Sequence, residues 1–168
     1  MSLSMYEASA PRFIHMLSNL DAILVKAEAH AAAKKIDPAV LLNSRLFPDM
    51  FPLIRQVQIA TDHAKGATAR LAGVEVPKFE DTEQSFEEIR ARLAKTIAFV
   101  ESFKAAQIDG SEDKTISLKA GGQERSFDGM NYLVGYAMPN FYFHLVTAYN
   151  ILRHNAVEIG KRDYMGNP

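Results

Sequence analysis

Cysteine is absent from all 168 residues, so thiolate metal ligands, disulfides and a cysteine nucleophile are excluded. The side chains left to hold a metal or move a proton are carboxylates and five histidines, His15, His30, His63, His144 and His154. No two histidines stand four apart, the spacing that sets two imidazoles on one helical face. His144 is the most informative of them. At 100° per residue it falls on the edge of an apolar stripe beside Ala148 and Ile151, with Asn140 four residues before it and Thr147 three after. On an earlier segment Gln56, Ile59 and His63 share one flank and could meet His144 across a groove.

The chemistry this arrangement suggests is a small polar pocket between facing helices, with Asn140, His144, Gln56, His63 and Thr147 as ligand-binding residues. His144 and His63 are also the side chains a divalent metal would use. A plainer reading of the same residues has a hydrogen-bonded interior His144 and an exposed His63. His15 lies opposite the stripe of its helix and reads as solvated; His154 suits a helix C-terminus, and terminal packing accounts for His30. The sequence contains no G-x-x-x-x-G-K-[ST] loop, G-x-G-x-x-G fingerprint or G-x-S-x-G elbow, so phosphate cradling by such loops and elbow-type serine hydrolysis lack support.

The elements that must position these residues are mostly helices. Ser4 to Glu7 has capping-box spacing, and Phe13, Leu17, Leu20, Leu24 and Ala27 continue a helix to about Lys34, kinked or begun at Pro11. Asp37-Pro38 opens a short turn over residues 39–43. A second helix carries Met50, Leu53, Ile54, Val57, Ala60, Ala64 and Leu71 and closes at Gly73 before Pro77. The spacing of Asp81 to Gln84 and of Ser85 to Glu88 predicts the start of a third, with Phe86, Ile89, Leu93, Ile97, Val100 and Phe103 as its buried face. Its other side, with Glu87, Glu88, Arg90, Arg92 and Lys95, reads as a solvated face without function.

From Thr115 the period becomes alternating, and Gly121-Gly122 supplies a tight turn. The hairpin register sets Lys119 opposite Glu124 and Ile116 opposite Phe127. Asp128 is a cap for a short helix, and Pro139 should push Met138 out of the helical region. The last helix runs from Pro139 to Asn155 with Phe141, Leu145, Ala148 and Leu152 buried, and the run Phe141-Tyr142-Phe143 reads as core and interface. Residues 157–168 read as a tail whose Lys161-Arg162-Asp163-Tyr164 could cap a groove or cross to a partner subunit.

These elements make one all-α domain over residues 1–168, a four-helix bundle with a small β-hairpin between the third and fourth helices. A chain of this length buries roughly 70 % of its unfolded surface, enough for a core without staples. The net charge of -1 provides no field to attract nucleic acid or an anionic membrane. Without a signal-peptide pattern or an apolar stretch of membrane-spanning length, a cytoplasmic location is expected.

Several segments carry a family likeness: Pro139 to His144, Ala148 to Asn155, Gly160 to Gly166, the opening Met5 to Phe13, and the stretch from Pro48-Asp49-Met50 to Leu71-Ala72-Gly73. With these the chain resembles the domain-of-unknown-function family 1993, which is similar to the DinB and YfiT superfamily. The resemblance spans essentially the whole chain. It implies a DinB-like four-helix bundle, often a homodimer, and in several members a metal such as Zn or Ni held by three histidines. In metal-binding relatives two ligands stand four apart early in the last helix and one on the second helix; here these positions fall on Asn140, His144 and a site near Gln56. Amide oxygens are weak ligands for such metals, so the expectation is a degenerate site with no bound cofactor. Three functions follow: a homodimeric small-molecule-binding protein, a divergent metal-dependent hydrolase or transferase, or a structural or stress-related interaction protein without a ligand.

Overall fold

The computed structural model describes residues 3–167. The chain begins with a single turn, α1 (Met5–Ala8), whose Ser4 hydroxyl accepts from the Glu7 amide at 3.3 Å as the capping spacing predicts. The backbone then breaks at Ser9, and α2 (Ala10–Lys34) opens with Pro11 in its first turn, where a missing N–H leaves no bond unmade. Pro11 therefore marks a start and not a kink. In α3 (Pro38–Leu42) Asp37 caps the amide of Ala39 at 2.9 Å. The next helix, α4 (Leu53–Ala72), begins after Pro52, leaving Met50 outside it, and closes on Gly73 at φ 74°. Only glycine takes that left-handed turn without strain. Ser85 caps α5 (Phe86–Glu101) through the Glu88 amide at 3.1 Å.

After a short α6 (Ala105–Ile108), strands β1 (Thr115–Ala120) and β2 (Gln123–Asp128) pair antiparallel, with Lys119 opposite Glu124 and Ile116 opposite Phe127. Asp128 caps α7 (Gly129–Asn131), accepting from both the amide and the side chain of Asn131. A π-helical turn, Tyr132–Ala137, then leads directly into α8 (Met138–His154). Met138 is helical, at φ -63° and ψ -47°, contrary to the expectation from Pro139. The wide turn before it moves aside the carbonyls that a proline ring would meet in an uninterrupted α-helix, so the helix passes through the proline.

Four long helices, α2, α4, α5 and α8, turn their apolar stripes toward one another. Phe13, Leu17 and Leu24 of α2, Val57 and Ala60 of α4, Ile89 and Leu93 of α5, and Phe141 and Leu145 of α8 are all buried. Each large side chain of this set contributes roughly 1.5–3 kcal/mol of transfer free energy. Phe13 meets Phe141 edge to face at 4.9 Å, tying α2 to α8.

Three expectations about the surface fail. Arg92 is not solvated: it is 4 % exposed and bonds Thr61 Oγ1, Asp62, Asp81, Glu83 and the Glu80 carbonyl. The wheel placed it correctly on the side away from the α5 stripe, but residues 74–84 cross that side and cover it. The C-terminal segment is no loose tail either. Val157 and Ile159 are buried, and α9 (Lys161–Met165) docks on α2 through Lys26–Asp163, Asn19 Nδ2 to the Tyr164 carbonyl at 3.0 Å and His15 Nε2 to the Met165 carbonyl at 2.7 Å. His15 is thus a docking residue rather than a solvated one.

Candidate functional site

Where α4 packs against α8, Gln56, His63 and His144 come together. Gln56 lies in the first turn of α4 and is 2 % exposed; its amide nitrogen donates to the carbonyl of Phe51 at 3.0 Å. That bond turns Gln56 Oε1 toward His144, whose Nδ1 lies 2.7 Å away. A carbonyl oxygen can only accept, so the network assigns the proton to Nδ1 and leaves Nε2 with a free lone pair. Among the described residues Nε2 has no hydrogen-bond partner, and it is not among the buried unpaired polar atoms.

His63, two turns along α4, stacks nearly parallel to His144, with ring centroids 6.0 Å apart and planes 15° apart. Burial pushes its pKa from 6.5 down to about 4, helped by the neighbouring His144 and Arg70 and opposed by Asp62. Burial likewise holds His144 at about 4, with Arg55 adding to the effect. Both imidazoles are therefore neutral at pH 7. Tyr136 stands edge-on to His63 at 5.9 Å and is backed by Phe127 of β2 at 5.4 Å. Phe143 stands edge-on to His144 at 5.2 Å.

The other two candidate residues do not join the site. Asn140 donates to the Tyr136 carbonyl at 2.7 Å and Thr147 to the Phe143 carbonyl at 2.7 Å, so both side chains bond back onto their own helix. Tyr136 is the residue that sequence reasoning missed. The π turn adds a residue to one turn and rotates everything before it by about 100° relative to α8, so a wheel drawn for α8 does not extend back to Tyr136. Clefts of about 610 Å³ between α2 and α5 and of about 410 and 330 Å³ beside Phe79 are lined by other residues.

A metal held by three histidines does not fit this donor set. Two imidazoles are present, Gln56 Oε1 is committed to His144 Nδ1, and Asn140 is turned onto Tyr136. Among the described residues no group of three or more His, Asp or Glu is placed to hold an ion. What remains is a pair of neutral acceptors walled by aromatic rings.

Fold and side-chain cluster together define a mainly helical protein that sets two imidazoles face to face between neighbouring helices, with one small antiparallel hairpin among the described residues. A family model described as "Domain of unknown function (DUF1993)" matches residues 5–165, and the chain belongs to that family. It is similar to a solved structure described as a DinB family member protein from Shewanella denitrificans, with 46% sequence identity over 97% of this chain and 92% of that one and a TM-score of 0.89. No functionally curated protein matches the sequence. No helix of the described residues is long and apolar enough to cross a membrane.

Proposed function

We propose that the groove between α4 and α8 binds a small protic molecule, with His144 Nε2 and His63 as neutral hydrogen-bond acceptors. The observation that carries this reading is the 2.7 Å contact between Gln56 Oε1 and His144 Nδ1. It fixes one tautomer and leaves the Nε2 lone pair free, as a carbonyl that holds the other ring nitrogen does for a working histidine. Tyr136 and Phe143 flank the two imidazoles and favour a planar ligand carrying a hydroxyl or N–H.

Phenol is a suitable probe and anisole, which lacks the donor proton, its control. Phenol shifts the imidazole nitrogen signals of His144 and His63 in spectra of histidine-labelled protein, and His144→Leu removes the response. Equal responses to phenol and anisole, or none, would sink the proposal and favour a purely structural role for the cluster.

The same reading makes the protein a four-helix-bundle homodimer. The support is a set of large apolar side chains left exposed just before α4 and on α8, Phe51 at 54%, Phe143 at 59% and Val146 at 41%. Phe143→Asp should shift the sedimentation coefficient to that of a monomer; a wild type already monomeric at high micromolar concentration contradicts the dimer.

A further inference from the structure

On the other side of α4 the segment 74–84, which has no regular secondary structure, crosses toward α5 and lays Phe79 among cations. Lys65 Nζ and Lys95 Nζ stand 4.1 and 4.0 Å from the centre of its ring, and Arg92 Cζ stands at 5.7 Å. Beside this ring lies a cleft of about 330 Å³ lined by Asp62, Lys65, Arg70, Lys78 and Phe79, with Val76 and Pro77. Its volume is at the lower end of small-ligand sites.

The charges lining it do not balance. Lys65 is 4 % exposed, and its one carboxylate partner among the described residues is Asp62, at 3.0 Å. The same Asp62 oxygen also receives Arg92 at 2.9 Å, so two buried cations divide one carboxylate. Arg92 has Asp81 and Glu83 besides; Lys65 has only the face of Phe79. Arg70 has no carboxylate partner among the described residues. Its Nη1 donates to the buried Tyr132 hydroxyl at 3.1 Å, which anchors one arm of the guanidinium and leaves its other donors to the cleft. Lys78 is exposed and pairs with Glu80 at 2.7 Å, a surface pair cheap to exchange for another partner.

A second feature of the sequence belongs to this arrangement. Gly66 is a buried glycine in the middle of α4, where it costs about 1 kcal/mol relative to alanine. A Cβ at this position would stand 2.5 Å from Arg70 Nη1. The glycine gives the guanidinium room to lie back along its own helix, toward Tyr132 and the cleft wall.

We propose that this cleft binds the phosphoryl group of a small phosphate monoester. Among the described residues Lys65 and Arg70 have between them only Asp62, which Arg92 shares, and Lys78 has the exposed Glu80; this excess of positive charge suits a dianion better than a monocarboxylate, and a guanidinium fork beside two ammonium groups is the donor set that phosphate oxygens take. The half-buried Phe79 offers an apolar edge to the organic part of the ester. Asp62 and Arg70 also act on His63 electrostatically, so the cleft adjoins the imidazole pair, but phosphate binding is read out without reference to the ligand of those imidazoles.

The test is calorimetric titration at pH 8 and constant ionic strength with inorganic phosphate, phenyl phosphate and acetate. Wild-type protein should bind phosphate at least tenfold more tightly than acetate, and phenyl phosphate at least as tightly as phosphate. Lys65→Met and Arg70→Gln should each weaken phosphate binding at least tenfold, while Lys34→Met, far from the cleft, leaves it unchanged. Gly66→Ala keeps every charge and favours the helix yet displaces Arg70, so it should weaken phosphate several-fold without lowering the melting temperature. Should Lys65→Met fail to fold, Arg70→Gln and Gly66→Ala carry the decision. Phosphate bound no better than acetate, or bound equally by Arg70→Gln and Gly66→Ala, overturns the site. Phenyl phosphate binding tenfold weaker than phosphate overturns the ester as its ligand.

Discussion

His144 Nδ1 of α8 lies 2.7 Å from Gln56 Oε1 of α4, and this one contact decides which ring nitrogen keeps a free lone pair. Gln56 can play the part because its own amide nitrogen is held by the Phe51 carbonyl. Replacing Gln56 with leucine leaves the Nδ1 proton buried without an acceptor, at a cost of about 1–3 kcal/mol. Urea denaturation should show this loss; a midpoint unchanged from wild type would mean that the contact is not made in solution.

The two histidines make stability dependent on mild acid. Their pKa values are about 4 in the folded protein against 6.5 for a free imidazole, so the unfolded chain binds protons first as pH falls. Stability is therefore full above about pH 6.5 and declines toward pH 4, by up to about 3 kcal/mol for one such group. The two rings are neighbours, so their effects should not simply add. His63→Leu should flatten the decline between these pH values, and a mutant curve parallel to that of wild type would contradict the assignment.

Arg92 joins α4, α5 and the segment 74–84 through four side chains and one carbonyl. Removing one partner of a fully buried ion pair costs about 3–5 kcal/mol, but Asp62 and Asp81 are more than a third exposed and can be rehydrated. Arg92→Met should therefore destabilise by about 2 kcal/mol. Arg90→Met, which breaks an exposed pair with Asp21, should cost less than about 1 kcal/mol. Equal costs in thermal melts would refute the difference in burial.

The C-terminal helix contributes to the fold. Truncation after Gly160 removes the partners of His15, Asn19 and Lys26 and uncovers Tyr149, against which Tyr164 packs at 5.9 Å. The expected loss is about 1–3 kcal/mol. A truncated chain as stable as the full one would return residues 161–167 to the status of a tail.

Much of this structure could be read from local signals. Ser4, Asp37, Ser85 and Asp128 all cap as their spacing suggests, Gly73 closes α4, and the hairpin register follows from its alternation and its two-glycine turn. Gln56, His63 and His144 were recognisable from helical wheels because α4 and α8 are regular where those residues lie. The failures share a different cause. Arg92 and His15 look solvated on their own helices and are covered by segments distant in sequence, residues 74–84 and α9, which no wheel contains. Asn140 and Thr147 share a face with His144 but bond to carbonyls four residues back, an option that every such side chain has in a helix. Tyr136 was hidden by a π turn, which breaks the periodicity that the wheel assumes.

The tautomer and charge of His144 decide whether it can serve as a neutral acceptor, and long-range nitrogen–proton NMR of histidine-labelled protein reads both. At pH 7 His144 should be neutral with its proton on Nδ1 and a lone pair on Nε2, and it should titrate only as the pH approaches about 4. A proton on Nε2 at pH 7, or a titration midpoint near 6.5, would contradict the claim that Gln56 and burial prepare this imidazole as a neutral acceptor.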